Sequence, residues 1–174
     1  KILRRFENNK NINITYLKKN MGAGYCRNLA IEKSNSKYIA FIDSDDIWEK
    51  DKLSSQIKFM EQNNIKFSYT SYCALNEKTG KKTLIVPPKK FNYESFIKNT
   101  SIATSTMIIA REIVTNIKFS ETEICEDYFF KCLLLKKVGF AFALNTVLTK
   151  YRIRKGSLQS NKFKNLYWIW KINK

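Results

Sequence analysis

Three carboxylates in four positions, Asp43, Asp45 and Asp46, follow directly on the apolar run Tyr38-Ile39-Ala40-Phe41-Ile42. The sequence holds only five aspartates, at 43, 45, 46, 51 and 127, so three of them sit in this one cluster. Carboxylates crowded together raise one another's pKa unless a cation neutralises them. An all-oxygen donor set suits a hard ion such as Mg²⁺ or Mn²⁺. The plain alternative is a solvated turn with aspartate as a helix cap. A second acidic group, Glu126 and Asp127, opens an apolar segment that runs to Val138 and meets Gly139. Acidic residues there either compensate a helix dipole and cap it, or serve as a base. The chain has no histidine, so proton transfer and metal ligation fall to Asp, Glu or a less usual group.

The apolar run at 38–42 is too short for a helix and predicts a central strand buried on both faces, ending at the acidic cluster. In open α/β sheets, ligands sit at the carboxyl ends of strands. Ahead of it, Lys1 to Asn9 reads as the end of a basic helix, and Ile12, Ile14 and Tyr16 alternate with polar residues as a strand. A loop with Gly22 and Gly24 then opens a helix to about Ser34, with Tyr25, Cys26, Leu29 and Ala30 expected to face the sheet. The order strand, glycine loop, helix, strand is a βαβ unit. Glycines at a helix start let backbone amides approach a phosphate, and Arg27 and Asn28 add donors.

Beyond the acidic cluster, Leu53, Ile57 and Met60 predict an amphipathic helix. A strand at 65–70, a hairpin turn at 76–82, a short helix at 93–98 and a strand at 104–110 follow. A helix at 128–138 stops at Gly139, and strands at 140–144 and 147–153 lead to a Gly156-Ser157 loop and an aromatic, basic terminal helix.

The 174 residues fit one domain with a real core. No stretch approaches the length of a membrane span and no signal peptide opens the chain, so the expected location is cytoplasmic. Four cysteines without a CxxC pair read as reduced core residues. A net charge of +17 would attract nucleic acid, an anionic membrane or a phosphorylated substrate. The lysines are spread along the whole chain, which argues against a nucleic-acid partner.

Taken in order, these segments resemble the family-2 glycosyltransferases of GT-A fold found in bacterial cell-surface polysaccharide and lipooligosaccharide synthesis. The matching residues are Asn20-Met21-Gly22, Cys26-Arg27-Asn28-Leu29-Ala30-Ile31, Lys37 through Trp48 with Lys52-Leu53, Thr104-Ser105-Thr106, Glu126-Asp127-Tyr128 and Tyr151 through Leu158. The resemblance implies an α/β, Rossmann-like, mixed and mainly parallel sheet flanked by helices. It also implies that the family's N-terminal strand-helix-strand unit is absent here. The domain would span 1–161, with 162–174 as the terminal helix. Asp43 and Asp45 would form the DxD motif, Asp43 near the nucleotide ribose and Asp45 holding the Mg²⁺ or Mn²⁺ ion. Asp127 would be the general base of an inverting, single-displacement transfer. Asn20, Gly22, Arg27, Ser44, Arg152 and Arg154 would join Asp43 in binding the nucleotide-sugar, with Asp46 and Glu126 as secondary members of the two acidic groups. The implied partners are a nucleotide-sugar donor, a UDP-sugar foremost, and a glycan or lipid-linked acceptor. Phe163, Leu166, Tyr167 and Trp170, with lysines 162, 164, 171 and 174, would allow peripheral contact with the anionic cytoplasmic face of the inner membrane. A basic nucleic-acid-binding module or a non-catalytic scaffold are the competing readings.

Overall fold

The computed structural model describes residues 3–120, 122 and 125–153. The expected terminal helix at 162–174 and Arg154 lie outside them. Two long strands form the spine, β3 (Phe67–Asn76) and β7 (Ala141–Ile153), paired in parallel with a register shift near Thr70 to Tyr72. The expected strands at 140–144 and 147–153 are thus one irregular strand. Around this pair lie β1 (Tyr38–Ala40), β2 (Ile47–Trp48), β4 (Lys82–Ile85), β5 (Lys90–Phe91) and β6 (Ile108–Ala110). The order is β1-β6-β3-β7-β2, with β4 beside β3 and β5 beside β7. The sheet is mixed as expected, yet among the described pairings only β3 with β7 is parallel. The predicted hairpin at 76–82 is one source of antiparallel pairing, closed by Gly80 at φ +68°.

The strand ahead of the acidic cluster differs from expectation. β1 is an edge of the described sheet, with β6 as its one neighbour. Ile39 and Phe41 point into the core while Ile42 is 48% exposed, so burial is one-sided. The alternating segment at 12–16 forms no ladder, because no described strand runs beside it. Residues Leu3–Phe6 make only a 3-10 turn.

Helices α1 (Gly22–Lys33), α2 (Lys52–Gln62), α3 (Tyr93–Lys98) and α4 (Glu126–Val138) complete the fold. Asn92 and Ser95 cap α3 reciprocally, and Gly139 at φ +80° ends α4 as predicted. The core is aromatic. Phe119 stacks on Phe130 with ring centres 3.8 Å apart, Phe41 meets both edge-on, and Phe96 stacks on Tyr128. These rings fasten α4 against the end of β1, which is where the two acidic groups lie.

α2 buries Met60 as its apolar spacing predicts, but Leu53 gives way to polar residues. Leu53 is 42% exposed, whereas Lys52, Gln56 and Met60 are buried. Polar partners decide it: the Lys52 ammonium donates to Gln56 Oε1 (2.6 Å) and to the Thr106 carbonyl (3.2 Å), and lies 5.0 Å from the centre of the Trp48 ring. Gln56 in turn donates to Ser68 Oγ and to the same carbonyl. Burial pushes the Lys52 pKa down to about 7. The unfolded chain, with an ordinary lysine pKa of about 10.4, therefore binds this proton more tightly than the folded one. Between about pH 7 and pH 10 the native state gains stability as pH rises, and below that window it bears the full cost of the buried charge. Lys52→Met should remove this dependence. The wild-type-minus-variant difference in urea unfolding free energy is expected to climb across that window and to be flat below it. A difference that stays level throughout would mean that the hydrogen bonds and the Trp48 face offset burial completely.

Candidate active site

Register arithmetic brings the site together. In the β1–β6 ladder Ala40 faces Ile108, so three residues beyond, Asp43 comes level with Ser105. The Asp43 N–H indeed donates to Ser105 Oγ at 3.0 Å. In the β2–β7 ladder Ile47 faces Lys150, so Asp46 and Asp45 come level with Tyr151 and Arg152. Arg152 donates its backbone N–H to Asp46 Oδ1 (3.0 Å) and its Nε to the Asp45 carbonyl. Between the two ladders the chain makes a tight turn, with the Asp46 N–H bonded to the Asp43 carbonyl at 3.0 Å. Asp43-Ser44-Asp45-Asp46 is thus a β-turn clamped from both sides, with Ser44 at its exposed tip.

The three carboxylates of this turn have different surroundings. Asp43 Oδ1 is 2.5 Å from Arg27 Nη2, and its side chain is 38% exposed. Asp46 is buried, and that desolvation lifts its pKa; the Ser105 hydroxyl and the Arg152 N–H pull it down, while Asp43 and Asp45 push it further up. The Asp45 carboxylate is half-buried and receives no hydrogen bond from the described residues. It is the carboxylate of this turn most available to an added cation.

Asp127 lies in the first turn of α4, but it is not a cap. The residue ahead of the helix, Cys125, adopts a left-handed φ of +63° and no side chain caps the helix start. Asp127 Oδ2 instead accepts from Thr104 Oγ1 (2.8 Å) and from Lys131 Nζ (2.7 Å). Burial would raise its pKa, but the Lys131 charge and hydrogen bond, the Thr104 hydroxyl and the Arg27 charge outweigh it and hold it at about 2. The group is therefore ionised at neutral pH.

Two devices join the acidic groups, and the sequence marked their residues, Arg27 and Thr104-Ser105-Thr106, without showing that they bridge. Arg27 donates through Nη1 to Glu126 Oε1 at 2.8 Å while Nη2 holds Asp43, so one guanidinium bridges the two sites. The 3-10 turn Thr104–Thr106 does the same from below: Thr104 holds Asp127, Ser105 holds the Asp43 backbone, and the Ser105 carbonyl accepts from Trp48 Nε1 at 2.7 Å. For this second device the sequence signal is three consecutive hydroxyl residues ahead of a buried strand.

The predicted nucleotide-binding residues fall in distinct places. Arg27 is engaged by carboxylates, and Arg152 braces the acidic turn and reaches Glu77 at 3.4 Å. Asn20 accepts from the Gly22 N–H at 2.9 Å, an Asx-turn that starts α1. Gly22 has φ +79° and open space where a Cβ would stand. Gly24 is a packing glycine, since a Cβ there would meet the Ser120 carbonyl at 2.7 Å. This close approach, with the two-way bond between the Asn28 amide and the Phe119 backbone, turns α1 so that Tyr25, Cys26 and Ala30 are exposed rather than facing the sheet.

Comparison with known proteins bears on the family and the fold. The sequence profile of the family described as Glycosyl transferase family 2 matches residues 1–117. A putative teichuronic acid biosynthesis glycosyltransferase, TuaG of Bacillus subtilis, is 36% identical over 97% of this chain and 68% of its own. WfaP of Escherichia coli, named a UDP-Glc:alpha-D-GlcNAc-diphosphoundecaprenol beta-1,3-glucosyltransferase, is 40% identical over 83% of this chain and 57% of its own. WfgD of Escherichia coli, which carries the same activity name, is 36% identical over 87% of this chain and 59% of its own. The chain therefore spans 57% to 68% of the length of these three relatives. Among solved structures, S. aureus TarS 1-349 in complex with UDP-GlcNAc superposes with a TM-score of 0.77 at 19% identity, over 98% of this chain and 51% of that one. That likeness establishes a GT-A-like fold. With the profile match and the relatives above, the chain belongs to glycosyl transferase family 2.

Proposed function

We propose that the protein transfers a sugar from a nucleotide-sugar donor, a UDP-sugar foremost, to a hydroxyl of a glycan or lipid-linked acceptor in cell-surface polysaccharide synthesis, with inversion. The observation that carries this reading is the joining of two acidic groups through Arg27 and the 104–106 turn, one free to take a cation and the other held ionised. Donor and acceptor classes are supported by the names of the Escherichia coli relatives and by UDP-GlcNAc bound to TarS.

Asp45 fits a Mg²⁺ or Mn²⁺ ion in one specific way. No group of three potential metal ligands is gathered among the described residues, so a cage built from protein alone is not offered there. A hard ion readily binds through one or two carboxylates together with substrate phosphates, and Asp45 supplies the first of these. Such an ion, when bound, withdraws charge from the departing diphosphate as a Lewis acid. Asp43, oriented by Arg27 and Ser105, presents its remaining oxygen to the nucleotide ribose. Asn20, Gly22 and Ser44 lie exposed for nucleotide-sugar contacts, and Arg27 and Arg152 add positive charge beside the diphosphate. Asp127 takes the acceptor proton as the acceptor oxygen bonds to the anomeric carbon. The anomeric C–O bond to the diphosphate breaks with its electron pair leaving on the diphosphate. One base facing one leaving group requires a single displacement and gives inversion.

No helix among the described residues is long and apolar enough to cross a membrane. A diphosphoundecaprenol acceptor would place the reaction at the cytoplasmic face of the inner membrane. Residues 162–174, by their sequence, supply basic and aromatic groups for peripheral contact.

Screening the full-length protein against UDP-sugars, with and without Mn²⁺, tests the proposal. Hydrolysis or transfer that depends on the ion is expected for at least one donor. Inert donors together with salt-dependent binding to DNA or RNA would favour a basic nucleic-acid-binding module instead.

A further inference from the structure

We propose that Lys131 is a positioning residue of the transfer reaction, its ammonium clamping one oxygen of Asp127 so that the other is the single oxygen open to the acceptor hydroxyl. The inference rests on the reading of Asp127 as the base. Lys131 stands one turn beyond Asp127 on α4, and its side chain is only 4% exposed. Its ammonium donates to Asp127 Oδ2 at 2.7 Å and to the Ile102 carbonyl at 2.8 Å. Thr104 Oγ1 gives Oδ2 a second donor at 2.8 Å. Among the described hydrogen bonds Oδ2 has two donors from two different elements and Oδ1 has none. Two donors on one oxygen fix both the plane of the carboxylate and which lone pairs remain for proton transfer.

Burial for stability alone explains this poorly. A buried ion pair is a weak source of stability, and an apolar side chain of similar volume usually serves as well or better. What the pair does supply is a fixed, ionised carboxylate in a half-dry site. In the transfer step the acceptor proton moves to Oδ1 as the acceptor oxygen bonds to the anomeric carbon, and the bond to the diphosphate breaks with its electrons. The proton on Asp127 returns to solvent after product leaves. The other charged or titratable groups acting on Asp127 are Arg27 from α1, Cys125 just ahead of α4 and Tyr151 from β7, and Glu126 is its neighbour in sequence.

The test uses the full-length protein, with Lys131→Met and Lys131→Gln beside Lys131→Arg, and circular dichroism to confirm folding. The probes are UDP-glucose with a GlcNAc-diphospholipid acceptor for the rate, and ¹³C-labelled aspartate NMR for the Asp127 carboxyl. Losing a partner cation should move the carboxyl titration up by about one pH unit or more. The acid limb of the kcat profile should move with it, kcat should fall about tenfold or more because the carboxylate is no longer held in place, and the donor KM should hold. Lys131→Arg should restore most of the rate. If Lys131→Met does not fold, Lys131→Gln carries the same expectation, since it keeps a donor and removes the charge. An unmoved carboxyl titration overturns the clamp. A titration that moves while the rate profile does not overturns the base reading, and the catalytic role of the clamp with it.

Discussion

Asp127→Asn in the full-length protein is expected to lower turnover by roughly 10²-fold or more, the usual worth of a general base, while donor affinity stays near its wild-type value. The asparagine can still accept from Thr104 and Lys131, so the local geometry should survive. What it cannot do is receive the acceptor proton. The substitution also strips the buried Lys131 ammonium of its counter-charge, which in a fully buried pair costs about 3–5 kcal/mol of stability. Asp127 is 20% exposed, so the lower end of that range applies. Unfolding should therefore be followed alongside steady-state kinetics, with turnover assayed well below the variant's melting temperature. A folded variant that keeps near-normal turnover would move the base elsewhere. Glu126, which pairs with Arg27 at 2.8 Å, would be the first group to examine.

Asp45→Ala should have the second large effect, on binding rather than on proton transfer. Groups that merely support a metal ligand are worth 10- to 100-fold in metal affinity or activity, so loss of the ligand itself should cost at least about 10²-fold in Mn²⁺-linked donor affinity. Calorimetric titration with a UDP-sugar, in the presence and absence of Mn²⁺, separates this effect from metal-independent binding. The fold should tolerate the change, because the Asp45 carbonyl that Arg152 braces is retained and its carboxylate supports no described neighbour. Unchanged Mn²⁺-linked affinity would remove Asp45 from the metal site and direct attention to Asp43.

The two substitutions act on separate steps. Asp45→Ala should raise the donor requirement, and Asp127→Asn should depress turnover at saturating donor. Their order of magnitude is similar, so the separation of KM from kcat, rather than the size of either loss, assigns the roles.

The sequence by itself determined what is local. An apolar run stopped by Asp43, Asp45 and Asp46, a glycine-started helix, a hairpin turn at 76–82 and a helix ended by Gly139 are each written in a few adjacent residues, and each holds its expected place in the chain, though the apolar run forms an edge strand rather than a central one. The segment order was enough to indicate the family. Tertiary structure alone decided which residues meet. Leu53 lost its place in the core to Lys52 and Gln56 because the Thr106 carbonyl and Ser68, 54 and 12 residues further along the chain from Lys52 and Gln56 respectively, offered those polar groups partners. α1 turned its apolar Tyr25 and Cys26 outward because Gly24 and Asn28 dock on the segment around Ser120 and Phe119, nearly a hundred residues away in sequence. Ser105 came to hold the Asp43 backbone through the antiparallel register of β1 with β6, and Arg27 became a bridge between Asp43 and Glu126 because α1 packs against α4. Such pairings depend on backbone register and on the buried polar groups' need for partners, and neither is carried by the periodicity of any single segment.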